Sequence, residues 1–128
     1  MEKQLPWGKM YLQNGVFICD IAKGAHIDVA EMDIWADTAA EFSAGQPFTF
    51  VVNLSDMKSV SKEARRLKVY DDERLHIIAG AIQIKSVLSK MLANFFLQMN
   101  KIPSPIKIFN EREKALAWLA NLEKDYKN

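Results

Sequence analysis

Residues 48–54, Phe-Thr-Phe-Val-Val-Asn-Leu, form a nearly continuous apolar run rich in aromatic and β-branched side chains. Such a run suits a strand covered on both faces, and so demands a sheet with helices packed on it. The flanking sequence supplies them. Asp28-Val29-Ala30-Glu31 reads as a capping box that opens a helix with an apolar stripe of Ile34, Trp35, Ala39 and Phe42, ended by Gly45 and Pro47. Ser61 caps a second helix, predicted from Lys62 to about Tyr70. His76 to Ile84 is another β-type run, interrupted by Ala79-Gly80-Ala81. Val87, Leu88, Met91, Leu92, Phe95, Phe96 and Met99 then repeat at helical spacing, and Pro103 and Pro105 stop the pattern. A short strand, Ile106 to Phe109, precedes a last helix with Asn110 and Glu113 as its capping box and Ala115, Trp118, Leu119 and Leu122 on one face.

Ahead of all this, Met10–Gln13 and Val16–Cys19 flank Asn14-Gly15, a pair suited to the two-residue type I′ hairpin turn. The order is ββαβαβαβα. After the hairpin, strands alternate with helices, which implies parallel pairing through right-handed crossovers. The expected fold is α/β, with residues 1–128 as a single domain. It has a mixed, mostly parallel sheet of about five strands, an N-terminal antiparallel hairpin and about four helices.

Composition narrows the function classes. Of 128 residues, 17 are Lys or Arg and 16 are Asp or Glu, so the chain lacks the basic excess on which general nucleic-acid binding runs. The single cysteine, Cys19, forms no internal disulfide and suits a reducing compartment. No stretch reads as a signal peptide or approaches the ~18 apolar residues of a membrane span, so a soluble, cytoplasmic protein is expected. The five glycines make no phosphate loop. His26 and His76 stand apart, and one Cys with two His gives little to build a metal site from. No cofactor, metal or catalytic residue is expected.

The charge is unevenly placed. Residues 1–64 hold five basic and nine acidic groups, and residues 65–128 hold twelve and seven. Asp28, Glu31, Asp33, Asp37 and Glu41 fall on a first helix without a basic residue, which reads either as a solvated face or as an acidic docking face. Lys58, Lys62, Arg65, Arg66 and Lys68 give the second helix the opposite bias. The segment between, Asn53 to Ser61, leaves the carboxyl end of a central strand and enters a helix, where α/β sheets place binding crevices. Ser55, Ser59 and Ser61 there read either as hydroxyls open to phosphorylation or as two turn residues and a plain helix cap. The Met/Phe-rich stripe from Val87 to Met99 reads as core, with a dimer interface or an apolar-ligand crevice as the alternative. Trp7 has no assignable role.

Several stretches taken together resemble the STAS fold of bacterial anti-sigma-factor antagonists, and more closely its small SpoIIAA-like branch. They are Val51-Val52-Asn53-Leu54-Ser55, Ser61-Lys62-Glu63-Ala64-Arg65, Ala93-Asn94-Phe95-Phe96-Leu97 with Asn100-Lys101, and Ile108-Phe109-Asn110-Glu111 followed by Ala115-Leu116-Ala117-Trp118-Leu119. In that family an Asp-Ser-Ser-Gly-Leu loop enters the second helix and a partner kinase phosphorylates one serine. Here Asn53 stands where an acidic strand-end residue is usual, Ser61 falls near the Asp, Lys62 and Glu63 fall near the two serines, and no Ser-Gly-Leu follows. The resemblance therefore implies a non-enzymatic regulatory module that binds another protein, without the usual switch serine. Its expected partner surface is Asn53, Ser55, Asp56, Ser59, Ser61, Glu63, Arg65 and Arg66, and pairing with itself is allowed for. The alternative is a carrier of an apolar small molecule or lipid, with Met91, Phe95, Phe96 and Met99 as its ligand or dimer face.

Overall fold

The computed structural model describes residues 1–67, 71–86, 90–91, 94 and 104–127. Its strands are β1 (Glu2–Leu5), β2 (Gly8–Gln13), β3 (Val16–Ile21), β4 (His26–Ile27), β5 (Phe48–Asn53), β6 (Ser59–Val60), β7 (Ile77–Gln83) and β8 (Ile106–Phe109). Helix α1 is Val29–Ser43, α2 is Lys62–Arg65 and α3 is Arg112–Lys127. The main sheet runs β1-β2-β3-β5-β7-β8, and β4 pairs with β6 in a separate two-stranded sheet. β1, β2 and β3 are antiparallel, and β3, β5, β7 and β8 are parallel. The mixed, mostly parallel α/β fold is thus as expected, with six main strands rather than five and three helices that lie wholly within the described residues. The stripe predicted as a helix over 87–99 lies largely outside the described residues.

The Asn14-Gly15 turn forms as predicted, with Gln13 opposite Val16 and φ of 52° and 79° at the two turn residues. β1 escaped the sequence reading because Glu2-Lys3-Gln4-Leu5 is charged and barely apolar. As an edge strand it needs no buried face, and charge there discourages pairing with other chains. Trp7, in the turn that joins β1 to β2, packs half-buried against the core.

Two apolar layers sandwich the sheet. On one face Phe17, Phe48 and Phe50 meet Trp35, Ala36 and Ala39 of α1. Trp35 stands edge-on to Phe50, with ring centroids 5.2 Å apart. On the other face Val16, Ile18, Val51, Ala79 and Ala81 receive Ala115 and Leu119 of α3. β7 runs unbroken through Ala79-Gly80-Ala81, which corrects the expected interruption. The small residues mark close approach on both faces. Ala79 and Ala81 are fully buried beneath α3, and the Phe50 ring covers Gly80, where a Cβ would stand 2.2 Å from Phe50 Cζ.

The Asp28–Glu31 box caps α1 as predicted. Helix α3 begins at Arg112, with Glu111 O accepting from Ala115 N–H, so the cap lies one residue beyond the expected Asn110. Helix α2 is a single turn rather than a run toward Tyr70. Arg66 N–H and Leu67 N–H bond back three residues, to Glu63 O and Ala64 O, which tightens the turn and ends it.

Cys19 faces the α1 layer and is 1 % exposed, and burial above all pushes its thiol up to about 12. The native thiol should therefore resist a disulfide reagent at neutral pH and react only at the rate of unfolding. Stopped-flow thiol titration with and without denaturant checks this, and rapid native labelling would contradict it.

Candidate functional site

The carboxyl ends of β3, β5 and β7 carry Asp20, Asn53 and Gln83 side by side: Asp20 is the register partner of Asn53, and Asn53 of Gln83. Strand alternation turns all three toward the α3 face. Arg112, the first residue of α3, lies over this row. Its guanidinium donates to both Asp20 carboxylate oxygens, to Tyr11 Oη at 2.8 Å and, through Nε, to Gln83 Oε1 at 2.9 Å. Asp20 also accepts from Tyr11 Oη at 2.7 Å and Asn53 Nδ2 at 3.1 Å. Burial alone would push the Asp20 carboxyl up. The bonds from Arg112, Tyr11 and Asn53 outweigh it and hold the group below the ordinary carboxylate value. For Tyr11, burial leads and the facing Asp20 adds to it, so its hydroxyl stays protonated.

Asn53 passes this network on to the loop. Its Oδ1 accepts from Ser55 N–H at 3.0 Å, closing an Asx turn at the strand end. The loop is then laid along residues 24–27: Gly24 N–H donates to Asp56 O, Lys58 N–H to Ala25 O and Ser61 N–H to Ile27 O. This backbone ladder becomes the β4–β6 pair, with His26 opposite Ser59 and Ile27 opposite Val60. His26 Nδ1 and Ser59 Oγ are 2.6 Å apart.

The same ladder brings two helix starts together. Ser61 Oγ caps α2 by accepting from Ala64 N–H at 3.0 Å, and donates its own proton to Asp28 Oδ1 at 2.7 Å. Asp28 Oδ1 also accepts from Val29 N–H, so the caps of α1 and α2 are bonded to each other. The Ser61 bond, followed by that backbone N–H, lowers the Asp28 pKa.

Of the expected surface residues, Asp56, Glu63 and Arg66 are exposed, and Ser55, Ser59, Ser61 and Arg65 are half-buried. Asp56 lies 3.8 Å from Lys85 Nζ. Asn53 is turned inward as a tie between sheet and loop. Met91 is 63 % exposed, while Phe95, Phe96 and Met99 of the alternative face lie outside the described residues. Tyr11, Asp20, Gln83, Arg112, His26 and Asp28 were not among the predicted site residues. Asp20 at the end of an apolar strand was the one visible signal, since a charge there needs a partner. Among the described residues no three His, Cys, Asp or Glu side chains converge as metal ligands, and no helix is long and apolar enough to cross a membrane.

The fold has solved counterparts. An uncharacterised protein of the DUF3478 family with a SpoIIAA-like fold, from Shewanella loihica PV-4, matches over 88% of this chain and 91% of its own, with 11% identity and a TM-score of 0.60. An anti-sigma factor antagonist from Mycobacterium paratuberculosis matches over 88% and 92%, with 12% identity and a TM-score of 0.56. The fold is therefore SpoIIAA-like, of the STAS class. No curated protein matches the chain. Residues 10–123 match the model of the domain of unknown function DUF7793, and the chain belongs to that family.

Proposed function

We propose that this protein is a non-catalytic regulatory module that binds another protein through the surface spanning Asn53–Arg66. One observation carries the reading. The loop from Ser55 to Ser61 is held at both ends, by Asn53 at the strand and by the Ser61–Asp28 bond at the helix, while Asp56, Glu63 and Arg66 reach solvent. A preorganised polar loop loses little entropy on docking, and preorganisation is what lets a small surface bind. The fold shared with an anti-sigma factor antagonist supports the same reading. Arg66 and Glu63 are the exposed charges that set register with the partner, and Arg65 beside them is half-buried.

Photo-crosslinking amino acids placed at Asp56, at Glu63 and, as a control, at Leu12 on the hairpin test this in the native host. A defined protein adduct is expected from positions 56 and 63 and not from 12. In the Glu63→Arg/Arg66→Glu background the adduct should fall by about tenfold, as for reversed charges across an interface. Adducts of equal yield from all three positions, or none from any, would sink the proposal.

A further inference from the structure

A groove of about 260 Å³ lies along α1 and adjoins the end of the Asn53–Arg66 surface at Leu67. Its floor is apolar: Val29, Met32 and Ala36 form one stripe of the helix, and Leu67 closes the far wall. Val29 is 40 % exposed, so the groove is open to solvent at the start of the helix. The rim is acidic, and two distant stretches build it. Asp33 comes from α1 and Asp72 from the segment ahead of β7, and Asp37 of α1 joins them through Arg74. Arg74 ties the two stretches together, with Asp72 at 2.7 Å, Asp33 at 2.9 Å and Asp37 at 3.9 Å. One guanidinium among these three carboxylates leaves the rim net negative, and Arg74 already shows the kind of group it accepts.

We infer that this groove is a docking site for a helix of a partner protein that carries Lys or Arg beside Leu- or Met-sized side chains. The apolar floor takes the large side chain and the acidic rim takes the cation, as in helix-in-groove recognition. The volume falls short of the roughly 300–1,000 Å³ of pockets that enclose a small organic ligand, so side-chain insertion is the better fit. Charge excludes the other occupants. A second copy meeting this face about a two-fold axis would set Asp33 and Asp37 against their own equivalents, and a nucleic acid or an anionic membrane would meet like charge. The groove adjoins the loop surface at Leu67 but shares no residue with it, so Glu63→Arg/Arg66→Glu, which changes none of the lining, should leave peptide binding unchanged and each reading fails separately.

The probe is a capped helical peptide of about 15 residues built from Leu and Lys, with its Leu/Glu counterpart as control. Amide resonances of Val29, Met32, Asp33 and Leu67 should shift with the Leu/Lys peptide and not with the Leu/Glu peptide. The shifts should fade in about 1 M NaCl, where charges are screened within about 3 Å. Asp33→Lys/Asp37→Lys should weaken binding by about tenfold. Val29→Lys, which leaves the Arg74 ion pairs in place, should do the same, and circular dichroism confirms that both variants fold. Equal binding of the two peptides, shifts confined to other surfaces, or unchanged affinity in both variants would overturn the inference. So would a concentration-dependent dimer that perturbs the same resonances, or displacement of the Leu/Lys peptide by dodecylamine at equal affinity.

Discussion

Arg112→Met should lower the unfolding free energy by about 2–3 kcal/mol at pH ~7, because it strands the Asp20 carboxylate. Removing one partner of a buried ion pair costs roughly 3–5 kcal/mol. Here the cost sits below that range, since the Asp20 side chain is 30% exposed and keeps Tyr11 and Asn53 as donors. The pH dependence separates this charge effect from lost packing. In the native protein the Asp20 pKa lies below its unfolded value of about 3.9. Its contribution is therefore complete above that pH and fades as pH falls through the folded pKa. Without Arg112, burial dominates and the pKa moves up, so the variant loses less than the native protein on acidification. The difference between the two should shrink from pH ~7 to pH ~3 in urea denaturation. Asp20→Asn in the Arg112→Met background should recover part of the loss, because it removes the unpaired charge while leaving Tyr11 an acceptor. A difference that stays constant with pH would mean that Arg112 acts by packing alone.

Gly80→Ala is expected to cost about 2–3 kcal/mol, although alanine is ordinarily the better strand residue. The new methyl would stand 2.2 Å, 2.5 Å and 2.7 Å from three atoms of the Phe50 ring. That ring is 6 % exposed and already packs against Trp35 at 5.2 Å and Phe48 at 6.4 Å, so it has little room to yield. Phe50→Leu frees the space, so the double variant should be more stable than the sum of the single losses by about 1 kcal/mol or more. Guanidinium denaturation of the four proteins measures this coupling. Strict additivity would show that glycine is required at position 80 for some reason other than the ring above it.

These two sites show how far the sequence could be read. The 48–54 run, the Asn14-Gly15 turn and the Asp28–Glu31 box each carry a local signal: periodicity, a positive-φ pair, a reciprocal cap. All three formed where expected. Ala79-Gly80-Ala81 misled because its small residues look like a break, when they are the space into which Phe50 and α3 pack. The length of α2 was also overread, since spacing shows where a helix can start but not which third element will hold its end.

The candidate site divides in the same way. Ser61 as a helix cap and the Asn53–Ser61 segment as a strand-to-helix connection were legible, because both depend on neighbours within a few residues. The bond from Ser61 to Asp28 and the contact of Arg112 with Asp20 join residues 33 and 92 positions apart, and nothing in the local pattern marks them as pairs. The same holds for Arg74 and Asp33, 41 positions apart, whose contact turned an apparently solvated acidic face into the rim of a groove. What the sequence determined alone was the class of fold and the order of the hairpin, α1, β5, α2, β7, β8 and α3, since hydrophobic periodicity and turn chemistry act over a few residues. Which charges meet, which helix starts share a hydrogen bond and where a groove opens were decided by the tertiary structure, because those contacts exist only after the crossovers have brought distant strand ends side by side.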